Sequence, residues 1–112
     1  MKSRLTKYRA VKSNGYDSKK ENKRANDLKF MEKANLISNL QEQVKFELVA
    51  TFKDNQGQTE KSVKYVADFV YMKDSKKIVE DVKSSFTKKL PVYVIKRKLF
   101  KKLYPEYYFL ET

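Results

Sequence analysis

The sequence predicts an α+β domain whose elements run αβββαβ along the chain and build one mixed sheet flanked by helices. Three observations carry that prediction. Apolar residues recur at helical spacing after Ser18 and again after Pro91. Between them lie runs that are β-branched, aromatic and alternating. Turn chemistry is confined to Asn14-Gly15, Asp54-Asn55-Gln56-Gly57 and Lys73-Asp74-Ser75-Lys76. A chain of 112 residues accommodates one core, so residues 1–112 form a single expected domain led by a basic segment over 1–16.

In order along the chain, Ser18 can cap a helix and Glu21, three residues on, can close the capping box. Ala25, Leu28, Met31 and Leu36 extend that helix from about Ser18 to Asn35. The run VKFELVATF, Val44 to Phe52, alternates and then turns polar at Lys53-Asp54-Asn55, which predicts a strand entering a hairpin. Ser62 to Met72 reads as a central strand interrupted by one charge, Asp68. Lys77 to Lys83 gives a third strand after a tight turn, and the three make an antiparallel meander. Pro91 suits the first turn of a second helix, which is expected to pack Val92, Ile95, Leu99 and Leu103 on the sheet and to show Arg97, Lys98 and Lys101 on its back. Pro105 stops that helix, and the remaining PEYYFLET supplies the last strand.

Basic side chains number 26 and acidic ones 14, a net charge of +12, which points to a polyanionic partner. No cysteine or histidine is present, which excludes disulfides, thiol nucleophiles, Ser-His-Asp triads and His-ligated zinc. Any catalysis must run on carboxylates, lysine, hydroxyls and a hard metal ion. Neither a signal peptide nor a membrane span fits the pattern, so a soluble cytoplasmic protein without membrane contact is expected.

An unpaired aspartate in an apolar strand costs several kcal/mol, of the order of the cost of burying any unpartnered polar group, so Asp68 needs a partner. On the third strand, side chains two apart share a face about 6.6 Å from each other, which puts Asp81 and Lys83 together. If these strands are neighbours, Asp68 and Asp81 can converge on one Mg²⁺ with the Lys83 ammonium beside it. The competing reading has Glu80 and Asp81 exposed on an edge strand and Asp68 merely paired with Lys83.

Three basic stretches stand out: the N-terminal Lys2, Arg4, Lys7, Arg9 and Lys12; Lys19, Lys20, Lys23 and Arg24 at the first helix; and Lys96, Arg97, Lys98, Lys101 and Lys102 on the second. Such runs suit phosphate binding, and lysine's excess over arginine suits backbone tracking over base reading. Tyr8, Tyr16, Tyr104, Tyr107 and Tyr108 can stack on unpaired bases or pack in the core.

Asp68 followed by Asp81-Val82-Lys83 inside an αβββαβ chain resembles the PD-(D/E)XK nuclease superfamily. YDSKKE at 16–21, Val44 to Leu48, YVADFVY at 65–71, IVEDVKS at 78–84 and VYVIKRKLFKKLYP at 92–105 further resemble small phage-encoded members likened to Holliday-junction-resolving endonucleases. The chain departs from that group at Val44, Ser84 and Leu90, the last two bounding the loop before Pro91. The resemblance implies a restriction-endonuclease-like core and a Mg²⁺-dependent endonuclease acting on branched or duplex DNA, with Mn²⁺ able to substitute. It further implies Glu21 as third acid, the Val82 carbonyl as a ligand beside Asp68 and Asp81, and Lys83 handling the attacking water. Gln43, just before the first strand, reads equally as a supporting polar group near the metal or as a solvated strand end. A host cytoplasm follows from phage origin. Symmetric incision of a junction implies a homodimer, joined through 5–16 and the first helix.

Overall fold

The computed structural model describes residues 18–112. The basic N-terminal stretch, Tyr8, Tyr16, the Asn14-Gly15 turn and the 5–16 dimer segment lie outside them. Helix α1, Lys19–Lys33, begins where the sequence places it. Ser18 is extended and its Oγ accepts from the Glu21 amide at 3.0 Å, which satisfies one of the orphan donors of the first turn. The helix closes at Ala34, and Asn35 follows in the left-handed region with φ 62°.

Strand β1, Ser38–Val49, starts six residues earlier than alternation suggests. Its first half, Ser-Asn-Leu-Gln-Glu-Gln, is too polar to read as a strand, yet it pairs with the next long strand, and a register shift at Asn39 (φ 55°) breaks the period. Phe52 is not part of β1. It opens a separate two-strand ribbon, β2 Phe52–Lys53 with β3 Thr59–Glu60, whose turn is held by Asp54 Oδ1 accepting from the Gln56 and Gln58 amides. Strand β4, Val63–Lys73, turns into β5, Lys76–Asp81, through Asp74 and Ser75. Both turn residues have positive φ, the backbone that a two-residue hairpin requires.

A 3₁₀ turn at Thr87–Lys89 leads into α2, Pro91–Leu103, with Pro91 in its first turn, and β6, Tyr107–Glu111, completes the chain. The sheet order is β1-β4-β5-β6, with β6 parallel to β5 and the other pairs antiparallel. The expected meander and mixed sheet are therefore present, and α2 is the crossover that parallel pairing needs.

The second helix uses a different face from the one expected. Tyr93 and Phe100 are its buried residues, whereas Val92, Ile95 and Leu103 are 66%, 58% and 48% exposed, and Leu99 is half-buried. The sheet presents aromatic rings, and rings answer them: Phe46 meets Phe100, Tyr104 and Tyr107 edge-on at centroid distances of 4.9, 5.1 and 5.2 Å. Tyr104 and Tyr107 are thus packing residues, while Tyr108 is exposed.

Helix α1 covers the opposite face with Ala25 and Leu28 over Phe69, Tyr71, Ile78 and Val82. Its anchor is ionic. Glu80 is fully buried and accepts from Arg24 Nε at 2.5 Å, Arg24 Nη2 at 3.0 Å, Tyr71 Oη at 2.6 Å and Thr112 Oγ1 at 2.9 Å. Burial alone would raise the Glu80 pKa, but the hydrogen bonds from Arg24, Tyr71 and Thr112 and the arginine's charge leave it below the ordinary value. Arg24, expected on the phosphate-binding surface, is committed to this anchor instead.

Removing the arginine leaves a buried carboxylate without its cation. Arg24→Ala should cost about 3 kcal/mol in urea unfolding, the lower end for breaking a buried pair, and Arg24→Lys should recover little because one ammonium cannot replace the two-pronged contact.

Candidate active site

The site forms where β4 and β5 part. Their ladder holds through Phe69 and Glu80. One residue further, the Asp68 carboxylate replaces the ladder partner by accepting the Val82 amide at 2.8 Å. The other edge of β5 stays fastened, because Thr112 N donates to Asp81 O and Lys83 N donates to Thr112 O. Asp81, Val82 and Lys83 are thereby pinned on the β6 side and free to face Asp68 on the other.

Both aspartates are buried, Asp68 at 7% exposure and Asp81 at 0%. The exposed-edge alternative for Glu80 and Asp81 is therefore excluded: β5 is an inner strand and each carboxylate has partners. The expected third strand, β5, ends at Asp81 and so stops two residues short of Lys83, yet Lys83 does come beside Asp81, with Nζ 3.1 Å from Asp81 Oδ1. The same ammonium stands 3.8 Å from Asp68 Oδ2, so the Asp68–Lys83 pairing in the competing reading is present as well.

Glu21 is buried and reaches the site from the start of α1. Ser18 caps the Glu21 amide, and the Glu21 carboxylate is turned to the site, where it accepts from Gln43 Nε2 at 2.9 Å. Gln43 also lies 3.5 Å from Asp68 Oδ1. It sits inside β1 opposite Asp68, between the pairs 42–69 and 44–67, in the left-handed region at φ 53°. That backbone is uncommon for a side chain larger than asparagine and is the sort of strain that concentrates at working sites.

Charge in this site is unevenly compensated. Burial first, and then the Asp81 charge and a hydrogen bond with Asp81, push the Asp68 carboxyl from 3.8 up to about 7, against the pull of Lys83 and the Val82 amide. For Lys83, burial lowers the pKa, but the charges of Asp81 and Asp68 outweigh it and leave the ammonium above its ordinary value. Tyr65, which sequence reasoning did not single out, donates its hydroxyl to Asp81 Oδ2 at 2.5 Å, and burial with the Asp81 charge raises its pKa and keeps the proton on oxygen. Strand alternation gives no signal for it, because Tyr65 lies three residues from Asp68 and so on the other face, and the β4–β5 pairing stops at Phe69.

A pocket of about 380 Å³ opens beside Asp68, walled by Lys20, Glu21, Val82, Lys83, Ser84 and Thr87. Among the described residues, no group of three or more carboxylates stands close enough to cage a cation unaided. The donor chemistry nevertheless fits a hard divalent ion: two buried carboxylates share one ammonium, and Asp68 also lines the pocket.

Of the expected phosphate-binding residues, Lys19, Lys20, Lys23, Lys98 and Lys101 are exposed and Lys96 is half-buried. Lys20 Nζ donates to the Lys83 carbonyl at 3.1 Å, at the pocket wall. Lys101 lies over the Phe109 ring, and Arg97 is 3.6 Å from Glu111, which also accepts from Tyr93 Oη. No helix is long and apolar enough to cross a membrane among the described residues.

Residues 4–110 match the family described as Protein of unknown function (DUF1064), and the chain belongs to it. No curated protein and no solved structure matches the chain.

Asp68 gives this site a pH signature. Its folded pKa lies above its unfolded one, so the stability it contributes is full below about pH 4 and is lost as pH rises through about 7. Wild type should lose melting temperature relative to Asp68→Asn across that window in metal-free buffer. Parallel curves would show that Lys83 compensates Asp68 completely.

Proposed function

We propose that this chain is a Mg²⁺-dependent endodeoxyribonuclease of the PD-(D/E)XK type, hydrolysing phosphodiesters in branched DNA. One observation carries the reading: two buried aspartates from adjacent strands meet at the point where those strands part, with the lysine of Asp81-Val82-Lys83 between them. A structural ion pair has no need of the splayed ladder, the left-handed Gln43 or a pocket lined by further donors.

Asp68, Asp81 and the Val82 carbonyl would hold the ion, with Glu21 as the further acid and Gln43 fixing Glu21 against Asp68. A bound Mg²⁺, or Mn²⁺ in its place, supplies Lewis acidity at the phosphate and lowers the pKa of an attacking water. The chain's own contribution is positioning and charge. The raised pKa of Lys83 keeps it an ammonium at neutral pH, so it neutralises charge growing on phosphorus and orients water by donating to it; it does not act as the base. Lys20, Ser84 and Thr87 offer donors to non-bridging phosphate oxygens at the pocket wall. Lys19, Lys23, Lys98 and Lys101 extend that binding to neighbouring phosphates.

The working unit we infer is a homodimer, because two cuts in fixed relation need two sites. The exposed Phe30 of α1 and Leu36 beyond it are apolar surface that such a contact would cover. A monomeric mass by light scattering at concentrations that support cleavage would remove this part of the reading.

A second reading rests on the ion pairs themselves: Lys83 already bridges both aspartates, as in a protein that keeps the nuclease-like fold only to bind nucleic acid or a host protein. The two readings separate on Asp81→Asn and Lys83→Ala. The nuclease reading expects magnesium-dependent cleavage that EDTA stops, with Lys83→Ala slower by about 10²–10⁴ and both variants folded and still bound to DNA. Asp81→Asn should be inactive yet no less stable in metal-free buffer. The binding-only reading expects no cleavage and a loss of about 3–5 kcal/mol in stability from either change.

Association should depend steeply on salt. With about five phosphates neutralised, log K should fall against log salt with a slope near −4 to −5, at about −0.9 per contact. A flat dependence would show that the +12 charge serves something other than DNA.

A further inference from the structure

Beside the polar pocket lies a second groove of about 320 Å³, which shares Lys83 with the first and adds Asp81 to its wall. Its other walls are Tyr65, Val66, Leu90, Val92, Tyr93 and Lys96. The two rooms differ in chemistry. Hydroxyls, carboxylates and ammonium groups line the first, whereas the second is mostly apolar, with the Asp81 carboxylate and two ammonium groups as its charges. The tyrosine hydroxyls there are already spent, Tyr65 on Asp81 and Tyr93 on Glu111. What remains for a ligand is aliphatic: Val66, Leu90 and Val92 are 40%, 39% and 66% exposed.

We propose that this groove holds the nucleobase next to the phosphate being cut, and that it thereby restricts the enzyme to DNA whose base at that position is out of its stack. This rests on the nuclease reading above and names the substrate feature that the site selects. The continuity of the rooms identifies the occupant. A ligand in the groove touches the same Asp81 and Lys83 that face the reacting phosphate, so it is the neighbour of that phosphate along the strand. Lys96 lines the groove together with Lys83, and two ammonium groups beside an apolar wall suit a nucleotide better than an uncharged group. The groove is within the size of small-molecule sites, about 300–1,000 Å³, and its open aliphatic side chains offer apolar contact to the face of a base without hydrogen-bond readout. In an intact duplex the bases face inward and the groove stays unfilled. At a branch point or a single-base bulge a base swings out at a cost already met by the distortion, and filling the groove then draws the phosphate to Asp68 and Asp81.

The probes are a four-way junction, a duplex with one bulged nucleotide and a linear duplex, each carrying 2-aminopurine at successive positions around the distortion. Wild-type protein in magnesium-free buffer should change the fluorescence at one position of the junction and of the bulge, and at none of the linear duplex. With magnesium, cleavage should fall next to that position. Leu90→Ala and Val92→Ala, surface changes whose folding is checked by melting temperature, should lower kcat/KM on the bulge relative to the linear duplex by about 10-fold, the size of one lost aliphatic contact. Lys20→Ala, on the polar wall, should slow all three substrates alike. Cleavage that proceeds with no fluorescence change, or a bulge preference untouched in both groove variants, would overturn the groove's role while leaving the nuclease standing. Absence of cleavage on every substrate with magnesium or manganese would overturn the nuclease reading, and this inference with it.

Discussion

Two adjacent residues of one inner strand, Glu80 and Asp81, carry buried carboxylates to opposite faces of the sheet, and the rest of the architecture follows from how differently they are balanced. Glu80 is met by a two-pronged arginine and two hydroxyls, so its charge is fully answered. Asp81 shares one lysine with Asp68 and otherwise receives a tyrosine hydroxyl. Burying a carboxylate is tolerable only when its partners repay the lost hydration. The first face therefore is a fastening, and the second is the less fully compensated of the two, which is what the proposed metal site draws on.

The fastening serves the site. Arg24 is one turn of α1 from Glu21, so the ion pair with Glu80 sets where the helix start stands over the sheet and hence where the Glu21 carboxylate falls. From there Glu21 meets Gln43 on β1, which lies opposite Asp68 on β4. Three elements distant in sequence are thus held in register by one buried pair on the far side of β5. That explains why two of the chain's arginines in the described residues, Arg24 and Arg97, are paired with glutamates while the exposed positive surface is lysine. Guanidinium groups do the geometric work, and ammonium groups with flexible stems provide the field.

Much of this was legible from the residues alone. Turn chemistry, Ser18, Pro91 and the apolar strands located both helices, the meander and the last strand, because each signal is local. Asp68, Asp81 and Lys83 announced themselves because period-two alternation and an out-of-place charge are also local facts. What the sequence hid was set by tertiary partners. The first half of β1 is polar and becomes a strand only because β4 offers it a ladder. Helix α2 has an aliphatic stripe and an aromatic one, and periodicity alone cannot say which the sheet will take; the rings of Phe46 and Phe109 decide for Phe100 and Tyr104. Arg24 looked like one more surface cation, since nothing near it in sequence shows that Glu80 waits across the core.

The aliphatic stripe left over by that choice bears on function. Helix α2 spends its aromatic face on the sheet and leaves Val92, at its first turn, on the wall of the groove that Asp81 and Lys83 also line. Had the expected face packed inward, Val92 would be core and the space beside Lys83 would be closed by the helix. The packing preference of four rings therefore decides whether the site has one room or two. On the nuclease reading proposed above, a site with only the polar room would accept any phosphodiester, and the second room would make acceptance depend on whether the neighbouring base is free to leave its stack.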